Sequence, residues 1–400
     1  MSVADFVALQ QLLQQQAVAP LFQPVIDLDR DQVAGYEALA RGPAGPLHCP
    51  QRMFAAARSA GRLAELDWLC RQVAVDTARR AGLRMPLSLF VNAEPETLIA
   101  DETNPGRWGE FFDVRCYCEL TERDLTRDPG RLLAAVDQIR AQDWGVALDD
   151  VGADPASLAL LPLLQPDVIK LDLRLLQQQP SGPFDVETAQ LVHGALAQAA
   201  ETGAAVIAEG IETEAQLELA RAYGVGYGQG YLLGRPAPLP RQLETPPAAM
   251  PLISRIVDRA LTPGPFAVLA SAVSTRRLDR PSLRELTRQL LARAVALTPE
   301  PSVLLTSPTL LDEPLPELLG QLTDLPLLGV LGADQPGMTV TRLAEHDPAG
   351  LDFAAAVVNP HFAAALVARP TTTGTGRYDA VLTLDRSLAV GVANALLMRL

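Results

Sequence analysis

The sequence has little lysine, little cysteine, no surplus of positive charge and no long apolar runs. Of its 400 residues, 47 are acidic and 33 are basic, so the formal net charge is −14. This excess of acid argues against a broad electrostatic surface for DNA, RNA or an anionic membrane, although a local basic pocket could hold a small anion. No uncharged apolar run approaches the roughly 20 residues that a membrane helix needs.

The cysteines and histidines, four of each, are scattered along the chain. The cysteines form no CxxC pair and the histidines show no HExxH or HxH spacing, which argues against a zinc site. Any metal would therefore have to be held by carboxylates. The N-terminal segment MSVADFVALQ carries an acid and no basic region, so it does not resemble a secretory signal. We expect a soluble cytoplasmic protein with free thiols.

Lysine occurs once. All of the 33 basic residues except Lys170 are arginine. A compact, titratable ammonium is a group that arginine cannot supply. The lone lysine therefore indicates a position that needs an ammonium, with chance retention of one lysine as the alternative.

Strand-like and helical segments alternate over residues 19–240. Two apolar runs separated by the polar turn DRDQ predict an opening β-hairpin. The repeated βα units that follow fit a parallel barrel, so we predict a TIM-like (β/α)8 barrel with an antiparallel opening strand. The strand candidates after the hairpin are residues 86–92, 115–121, 144–150, 167–172, 204–210 and 224–230.

The same pattern predicts how the chain is divided. We expect an N-terminal helix in residues 1–18, the barrel in 19–240 and a proline-rich linker in 241–252. Residues 253–400 predict a smaller α/β domain. That domain has no nucleophile–base arrangement and no metal cluster in its sequence, so nothing in it suggests catalysis.

Polar side chains end almost every strand of the predicted barrel. Because the carboxyl ends of barrel strands open on one face, we expect these side chains to converge there. One such residue alone is better explained as a helix cap or a solvated acid, but the whole set favours a functional site. Oxygen ligands of this kind suit Mg²⁺ or Mn²⁺. The set is Glu37, Asn92, Glu119, Asp149, Asp150, Lys170, Glu209 and Gln229.

These residues lie in motifs that resemble the EAL domain family, bacterial phosphodiesterases that linearise cyclic di-GMP. The motifs occur in family order and at family spacing over roughly residues 19–240, and Lys170 stands at the position of the family's catalytic lysine. In chain order they are Gln23-Pro24, Glu37-Ala38-Leu39 with Arg41, Asn92, Glu119-Leu120-Thr121-Glu122, Asp149-Asp150, Lys170-Leu171-Asp172, Ala208-Glu209-Gly210-Ile211-Glu212 and Gln229-Gly230-Tyr231 with Pro236.

The resemblance implies metal-dependent hydrolysis of cyclic di-GMP to linear 5′-pGpG. It implies a homodimer formed through the barrel and a two-metal site for Mg²⁺ or Mn²⁺. The implied metal ligands are Glu37, Asn92, Glu119, Asp149 and Asp150. The implied catalytic residues are Lys170, Glu209 and Gln229. The implied substrate contacts are Gln23, Leu39 and Arg41, and the implied supporting residues are Glu122 and Glu212.

The loop after Asp150 departs from the family pattern. The family follows its two aspartates with Phe-Gly-Thr-Gly-Tyr-Ser-Ser, whereas this chain has Val151-Gly152-Ala153-Asp154-Pro155-Ala156-Ser157. A lost hydroxyl, a lost glycine and an added proline change how the loop can position Asp150, and Asp154 adds negative charge. Two interpretations stay open: a working phosphodiesterase, or a weak or inactive EAL domain that acts as a cyclic di-GMP receptor or a protein-interaction module.

The C-terminal part of the sequence resembles the DICT sensory domain. The resemblance rests on VVNPHFAAALVAR (357–369) and YDAVLTLDRSLAVGVANALLMRL (378–400). It implies a domain that senses an unidentified signal or partner and tunes the barrel. An unspecialised dimerisation or docking domain is the alternative.

Overall fold

The computed structural model describes residues 2–100, 113–121, 129–151, 155–172, 186–253, 264–296, 303–306, 327–330, 353–371 and 376–398. These residues form a closed barrel of eight strands and a second sheet of six strands. The predicted TIM-like barrel with an antiparallel opening strand is confirmed, and so is the smaller α/β region that follows it.

The barrel strands are arranged in chain order around the barrel. β1 (Ala19–Asp27) is antiparallel to β2 (Gln32–Arg41) and to the last strand, whereas all other neighbouring pairs are parallel. The turn between β1 and β2 is held by the Asp27 carboxylate, which accepts hydrogen bonds from the backbone N–H groups of Asp29 and Arg30. The other strands are β3 (Ser88–Ala93), β4 (Arg115–Thr121), β5 (Gly145–Val151), β6 (Val168–Asp172), β7 (Ala205–Glu209) and β8 (Tyr227–Gly228).

The helices of this part of the chain lie outside the barrel. α1 (Val3–Gln15) begins where the Ser2 hydroxyl accepts a hydrogen bond from the Asp5 N–H. In the part of the chain that the structure describes, every helix is too short or too polar to cross a membrane. The remaining helices are α2 (Pro50–Ser59), α3 (Leu63–Arg80), α4 (Pro95–Ala100), α5 (Pro129–Ala141), α6 (Pro155–Leu164), α7 (Val186–Thr202) and α8 (Glu214–Ala222).

An apolar layer fills the part of the barrel interior that lies toward the amino-terminal ends of the parallel strands. Successive side chains of a strand point to opposite faces, so every second residue of each strand enters the barrel. Phe90 of β3 and Tyr117 of β4 stack there, with ring centroids 4.9 Å apart and ring planes 14° apart. The other buried members of the layer are Val25, Ala34, Ala147, Val168, Ala205, Ile207 and Met250.

The second sheet carries helices on both faces. Its strands are antiparallel to their neighbours except for the parallel pair β10 and β11. Alternate residues of β12 pack on opposite sides, with Phe353 on the α10 side and Ala354 in the core shared with the barrel. The elements are α9 (Pro265–Ala270), β9 (Arg276–Asp279), α10 (Arg280–Ala296), β10 (Val303–Thr306), β11 (Leu327–Val330), β12 (Phe353–Val358), β13 (Ala363–Pro370), β14 (Arg377–Thr383) and α11 (Arg386–Leu397).

Helix α11 packs between the second sheet and the barrel helices α5 and α6. The sequence of α6, PASLALLPLL, is apolar on all sides, and such a helix needs apolar partners on all sides. At the start of α11, Arg386 Nε lies 2.7 Å from Glu201 Oε2, and Arg386 Nη2 donates to Gln198 Oε1 at 3.0 Å. Both partners lie on α7. The barrel and the C-terminal domain therefore share a packed interface.

Part of the predicted linker packs against the amino-terminal end of the barrel. Met250 is only 2% exposed, and its side chain lies in the apolar layer. The Ile253 N–H donates to Asp167 Oδ1 at 2.6 Å, and the Val146 N–H donates to the other oxygen of the same carboxylate at 2.7 Å. Asp167 lies directly before β6, and Val146 lies at the start of β5. Asp167 therefore joins the chain at the end of the linker to the amino-terminal ends of these two strands.

Replacing Asp167 by alanine is expected to lower the free energy of unfolding by about 2–4 kcal/mol. The buried N–H of Val146 and the partly buried N–H of Ile253 would each lose an acceptor, and an unsatisfied buried donor costs roughly 1–3 kcal/mol. Chemical denaturation measures the loss. Asp29→Ala, in the exposed β1–β2 turn, is the control and should change stability by less than about 0.5 kcal/mol. Equal stability of the two variants would refute the anchoring role of Asp167.

Candidate active site

A polar layer lies directly above the apolar layer, two residues further along the same strands. In β3, Phe90 is followed by Asn92, and in β4, Tyr117 is followed by Glu119. Because the side-chain period of a strand is two, each polar residue enters the barrel on the same side as the apolar residue before it. The same step brings in three further polar residues, namely Asp149 after Ala147, Lys170 after Val168 and Glu209 after Ile207.

The ammonium of Lys170 lies at the centre of this layer and is 1% exposed. Lys170 Nζ lies 2.7 Å from Glu119 Oε1 and 2.8 Å from Glu209 Oε1. It lies 2.9 Å from Asp149 Oδ1 and 3.5 Å from Glu37 Oε2. The lone lysine of the sequence is thus a buried cation that contacts four carboxylates from four different strands.

Two amide side chains join the carboxylates to one another. Asn92 Nδ2 donates to Glu37 Oε1 at 3.0 Å and to Glu119 Oε2 at 2.9 Å. Gln229, which follows β8, donates from Nε2 to Glu37 Oε2 at 2.7 Å. The other atom of that amide, Gln229 Oε1, is buried and accepts no hydrogen bond from the described residues.

An irregularity at the end of β5 brings two consecutive aspartates to the site. The register with β6 shifts between Leu148 and Val151, and Asp150 has a left-handed φ of 56°. Aspartate tolerates this conformation better than most residues that carry a Cβ. Three carboxylate oxygens lie within 4.8 Å of one another, one each from Asp149, Asp150 and Glu209. In a regular strand, Asp149 and Asp150 would point to opposite faces.

Burial and the charges of neighbouring groups shift the pKa values of three residues in this layer. Burial raises the pKa of Glu119 well above its usual value, and the charge of Glu37 adds to the shift. Burial likewise raises the pKa of Glu209, with a further contribution from Asp149. For Lys170, burial by itself would lower the pKa, but the surrounding carboxylates raise it well above its usual value.

The donor set fits divalent cations of the Mg²⁺ and Mn²⁺ class. Five carboxylates share this space with one ammonium, so the cluster is short of positive charge. Apart from the ammonium, the groups of the cluster offer oxygen atoms, which are the ligands such cations prefer. The residues able to hold metal are Glu37, Asn92, Glu119, Asp149, Asp150 and Glu209.

A pocket of about 970 Å³ opens above the cluster. Glu37, Asp149 and Asp150 line it, and so do two of the predicted substrate residues, Leu39 and Arg41. The third predicted substrate residue, Gln23, is buried beside the pocket. Its Nε2 donates to the backbone oxygen of Gly234 at 3.0 Å, which connects β1 to the segment after β8.

The two predicted supporting residues are not brought into the cluster by the described structure. Glu212 is exposed, and its backbone N–H donates to Gln216 Oε1 at 2.6 Å. Glu122 lies outside the described residues. Residues 152–154 of the altered loop also lie outside them, while Val151 before the gap is buried.

A buried ion pair in the pocket wall was not among the predicted residues. Arg71 Nη2 donates to Asp67 Oδ2 at 2.9 Å, and Thr97 Oγ1 donates to the same oxygen at 2.5 Å. Asp67 Oδ1 accepts the Glu94 N–H at 3.3 Å, and so fixes the chain two residues after Asn92. The spacing of Asp67 and Arg71 on α3 could have signalled a pair. Its position beside the site depends on the folded barrel.

The chain is similar to known proteins over the part that forms the barrel. A family model described as the EAL domain matches residues 7–236. Cyclic di-GMP phosphodiesterase PA2567 of Pseudomonas aeruginosa is 29% identical over 232 residues, which cover 56% of this chain and 39% of the relative. Cyclic di-GMP phosphodiesterase NbdA of the same organism is 29% identical over 241 residues, which cover 58% of this chain and 30% of the relative.

A solved structure has the same barrel fold. It is the EAL enzyme Bd1971 in its form with bound cAMP and cyclic di-GMP, which matches with a TM-score of 0.51 and 20% identity over 59% of this chain and 66% of that chain. The chain spans less than two fifths of the length of the two curated relatives. The family model, however, covers more than half of the chain, and the chain belongs to the EAL domain family.

Proposed function

We propose that the chain hydrolyses cyclic di-GMP to linear 5′-pGpG with the help of two divalent cations, Mg²⁺ or Mn²⁺. The observation that carries this proposal is the buried ring of carboxylates around Lys170 at the floor of the pocket. Such a ring repels a phosphodiester anion unless added cations neutralise it. The names of the two curated relatives, both called cyclic di-GMP phosphodiesterases, support the choice of substrate.

The proposed metal ligands combine the family resemblance with the geometry of the cluster. Glu37, Asn92, Glu119 and Asp149 would hold one ion, and Asp149 and Asp150 would hold the second. Bound ions of this class supply a water of lowered pKa and neutralise charge on the phosphate. The ligands come from β2, β3, β4 and β5, so the barrel itself sets their relative positions.

The other residues of the cluster handle the proton and the developing charge. Glu209 accepts a proton from the attacking water, and Lys170 stabilises negative charge on the phosphate oxygens. Gln229, whose amide is oriented by Glu37, directs the water or the substrate through its buried oxygen. The water oxygen bonds to phosphorus while the bond from phosphorus to a 3′ oxygen breaks. The 3′ oxygen takes up a proton from the solvent as it leaves, and Glu209 returns its proton to the solvent, so the ring opens with the net addition of one water.

The pocket wall binds the rest of the dinucleotide in this proposal. Arg41 donates to a phosphate oxygen in a charge-assisted hydrogen bond. Leu39 supplies apolar contact next to it, and Gln23 supports the wall from below through Gly234. Glu122 and Glu212 retain only the supporting roles that the resemblance assigns to them.

Purified protein incubated with cyclic di-GMP and Mn²⁺ is expected to yield pGpG on chromatography. Glu37→Gln should lower the rate at least roughly 10²-fold, because a ligand carboxylate is lost and an amide faces the amides of Asn92 and Gln229. Glu218→Gln, on the exposed surface of α8, is the matched control and should retain the rate. Binding without product would contradict hydrolysis and favour a receptor. A lack of both binding and product would favour an interaction module.

Divalent cations are expected to raise the melting temperature of EDTA-treated protein in a saturable way. A ligand that binds only the folded state stabilises it by about 2.7 kcal/mol at 100 times its dissociation constant. Asp149→Asn should reduce this shift because Asp149 is proposed to contact both ions, whereas Glu218→Gln should leave it unchanged. Differential scanning calorimetry with Mn²⁺ and Mg²⁺ measures the effect. An unaltered chain without any saturable shift would argue against the metal site.

We also propose that the C-terminal domain tunes the barrel, by way of α6. This helix begins at Pro155, shortly after Asp149 and Asp150, and its outer side contacts α11. A shift of α11 would move α6, whose first residue lies five positions after Asp150 in the chain. The DICT resemblance and the sensed signal remain predictions. A homodimer formed through the barrel is also a prediction. Its interface would have to lie away from the surface of α5 and α6 that α11 covers.

Arg386→Ala is expected to change the hydrolysis rate by up to about fivefold, because it removes an ion pair between α11 and α7. The matched control is Arg288→Ala, which removes an ion pair with Glu285 on α10, the helix on the opposite face of the second sheet. Steady-state kinetics at saturating substrate compare the two. Identical rates for both variants and the unaltered chain would count against coupling by this contact.

A further inference from the structure

The apolar layer of the barrel is bonded to the segment that leads into the C-terminal domain. Tyr117 is fully buried inside the barrel. Its hydroxyl oxygen lies 2.7 Å from the backbone oxygen of Pro251 and 3.1 Å from that of Met250. A phenol has one proton and donates to one acceptor at a time, so the shorter contact to Pro251 is the main hydrogen bond.

The same side chain lies directly beneath two of the proposed metal ligands. β3 and β4 pair in register, with Phe90 opposite Tyr117 and Asn92 opposite Glu119. The stacked rings of Phe90 and Tyr117 therefore lie under the 2.9 Å hydrogen bond from Asn92 Nδ2 to Glu119 Oε2. The stacked rings and the hydrogen-bonded pair are therefore carried by the same two strands, two residues apart.

The Tyr117 ring packs closely against the backbone of Gly145. A Cβ added to Gly145 would lie 2.4 Å from Tyr117 Cδ1 and 2.9 Å from Leu252 Cδ1. Ring, glycine and linker leucine are therefore in close contact at the amino-terminal end of β5. Because packed protein interiors have low compressibility, a displacement of the linker here is transmitted rather than absorbed.

We infer that Tyr117 is a positioning residue that ties the geometry of the metal ligands to the segment Met250–Ile253. Its ring supports Glu119 and Asn92, and its hydroxyl holds the segment through which the C-terminal domain is attached. This inference rests on the proposed function, since it takes Glu119 and Asn92 as metal ligands. It adds a second route between the domains, along the barrel axis, to the lateral contact of α11 with α6.

Tyr117→Phe in the full chain tests the inference because it keeps the aromatic stack and removes only the hydroxyl. We expect the dissociation constant for Mn²⁺, measured by isothermal titration calorimetry, to rise about fivefold, the equivalent of one hydrogen bond. Tyr36→Phe is the matched control. Tyr36 is also buried in a barrel strand, but it packs among the outer apolar residues. Its variant should retain the affinity of the unaltered chain.

A merely structural role for Tyr117 predicts a different result. Such a role lowers the melting temperature of metal-free Tyr117→Phe but leaves the Mn²⁺ affinity of the folded protein unchanged, and this outcome would overturn the inference. If Tyr117→Phe does not fold, Phe90→Leu breaks the same stack with the hydroxyl in place and should weaken Mn²⁺ binding by a similar factor. Unchanged affinity in Phe90→Leu would then overturn it.

The outcome also separates this inference from the function on which it rests. If the unaltered chain binds Mn²⁺ and Tyr117→Phe binds it equally well, only the positioning role fails. If the unaltered chain binds no Mn²⁺ at all, the proposed metal-dependent function fails and the positioning role fails with it.

Discussion

The carboxyl-terminal end of the barrel depends on the ion pairs made by Lys170. Four carboxylates, carried by β2, β4, β5 and β7, converge on its ammonium, and none of them could be buried there without a positive charge. An arginine could not replace this lysine, because a planar guanidinium is too large and too directional to be shared among four oxygens around a point. The one lysine of a chain whose other basic residues are all arginine lies at this position.

The same interaction leaves the site unbalanced, and the imbalance is what suits it to chemistry. One ammonium faces five carboxylates, of which Asp149, Asp150 and Glu209 are only partly buried, so the cluster is short of positive charge. Natural folds depart from the best local arrangement mainly at functional sites. Here the departures are the raised pKa values of Glu119 and Glu209 and the left-handed backbone of Asp150. Bound divalent cations would offset the repulsion among the carboxylates that contributes to the raised pKa values. They would also use the backbone conformation of Asp150 that brings its carboxylate to the cluster.

The barrel and the C-terminal domain share one continuous packing arrangement. α6 is apolar on all sides, with α11 against its outer surface, and the segment Met250–Ile253 passes under the barrel with its backbone bonded to Tyr117 and Asp167. The C-terminal domain and its linker therefore contact the barrel in two places near the strands that carry the proposed metal ligands. One contact is with the helix that follows β5, and the other is with Tyr117 in the apolar layer of the barrel.

The sequence alone predicted the barrel, its antiparallel opening strand and the polar strand ends, because these features depend on patterns within a few residues. The apolar alternation of β4, for example, predicted residues 115–121, the range observed. Lys170 was singled out by the composition of the whole chain, in which it is the one lysine. By contrast, the contact of Tyr117 with Pro251 and the position of the Asp67–Arg71 pair join distant parts of the chain. Only the closed barrel decided these contacts, since its shape brings those residues together.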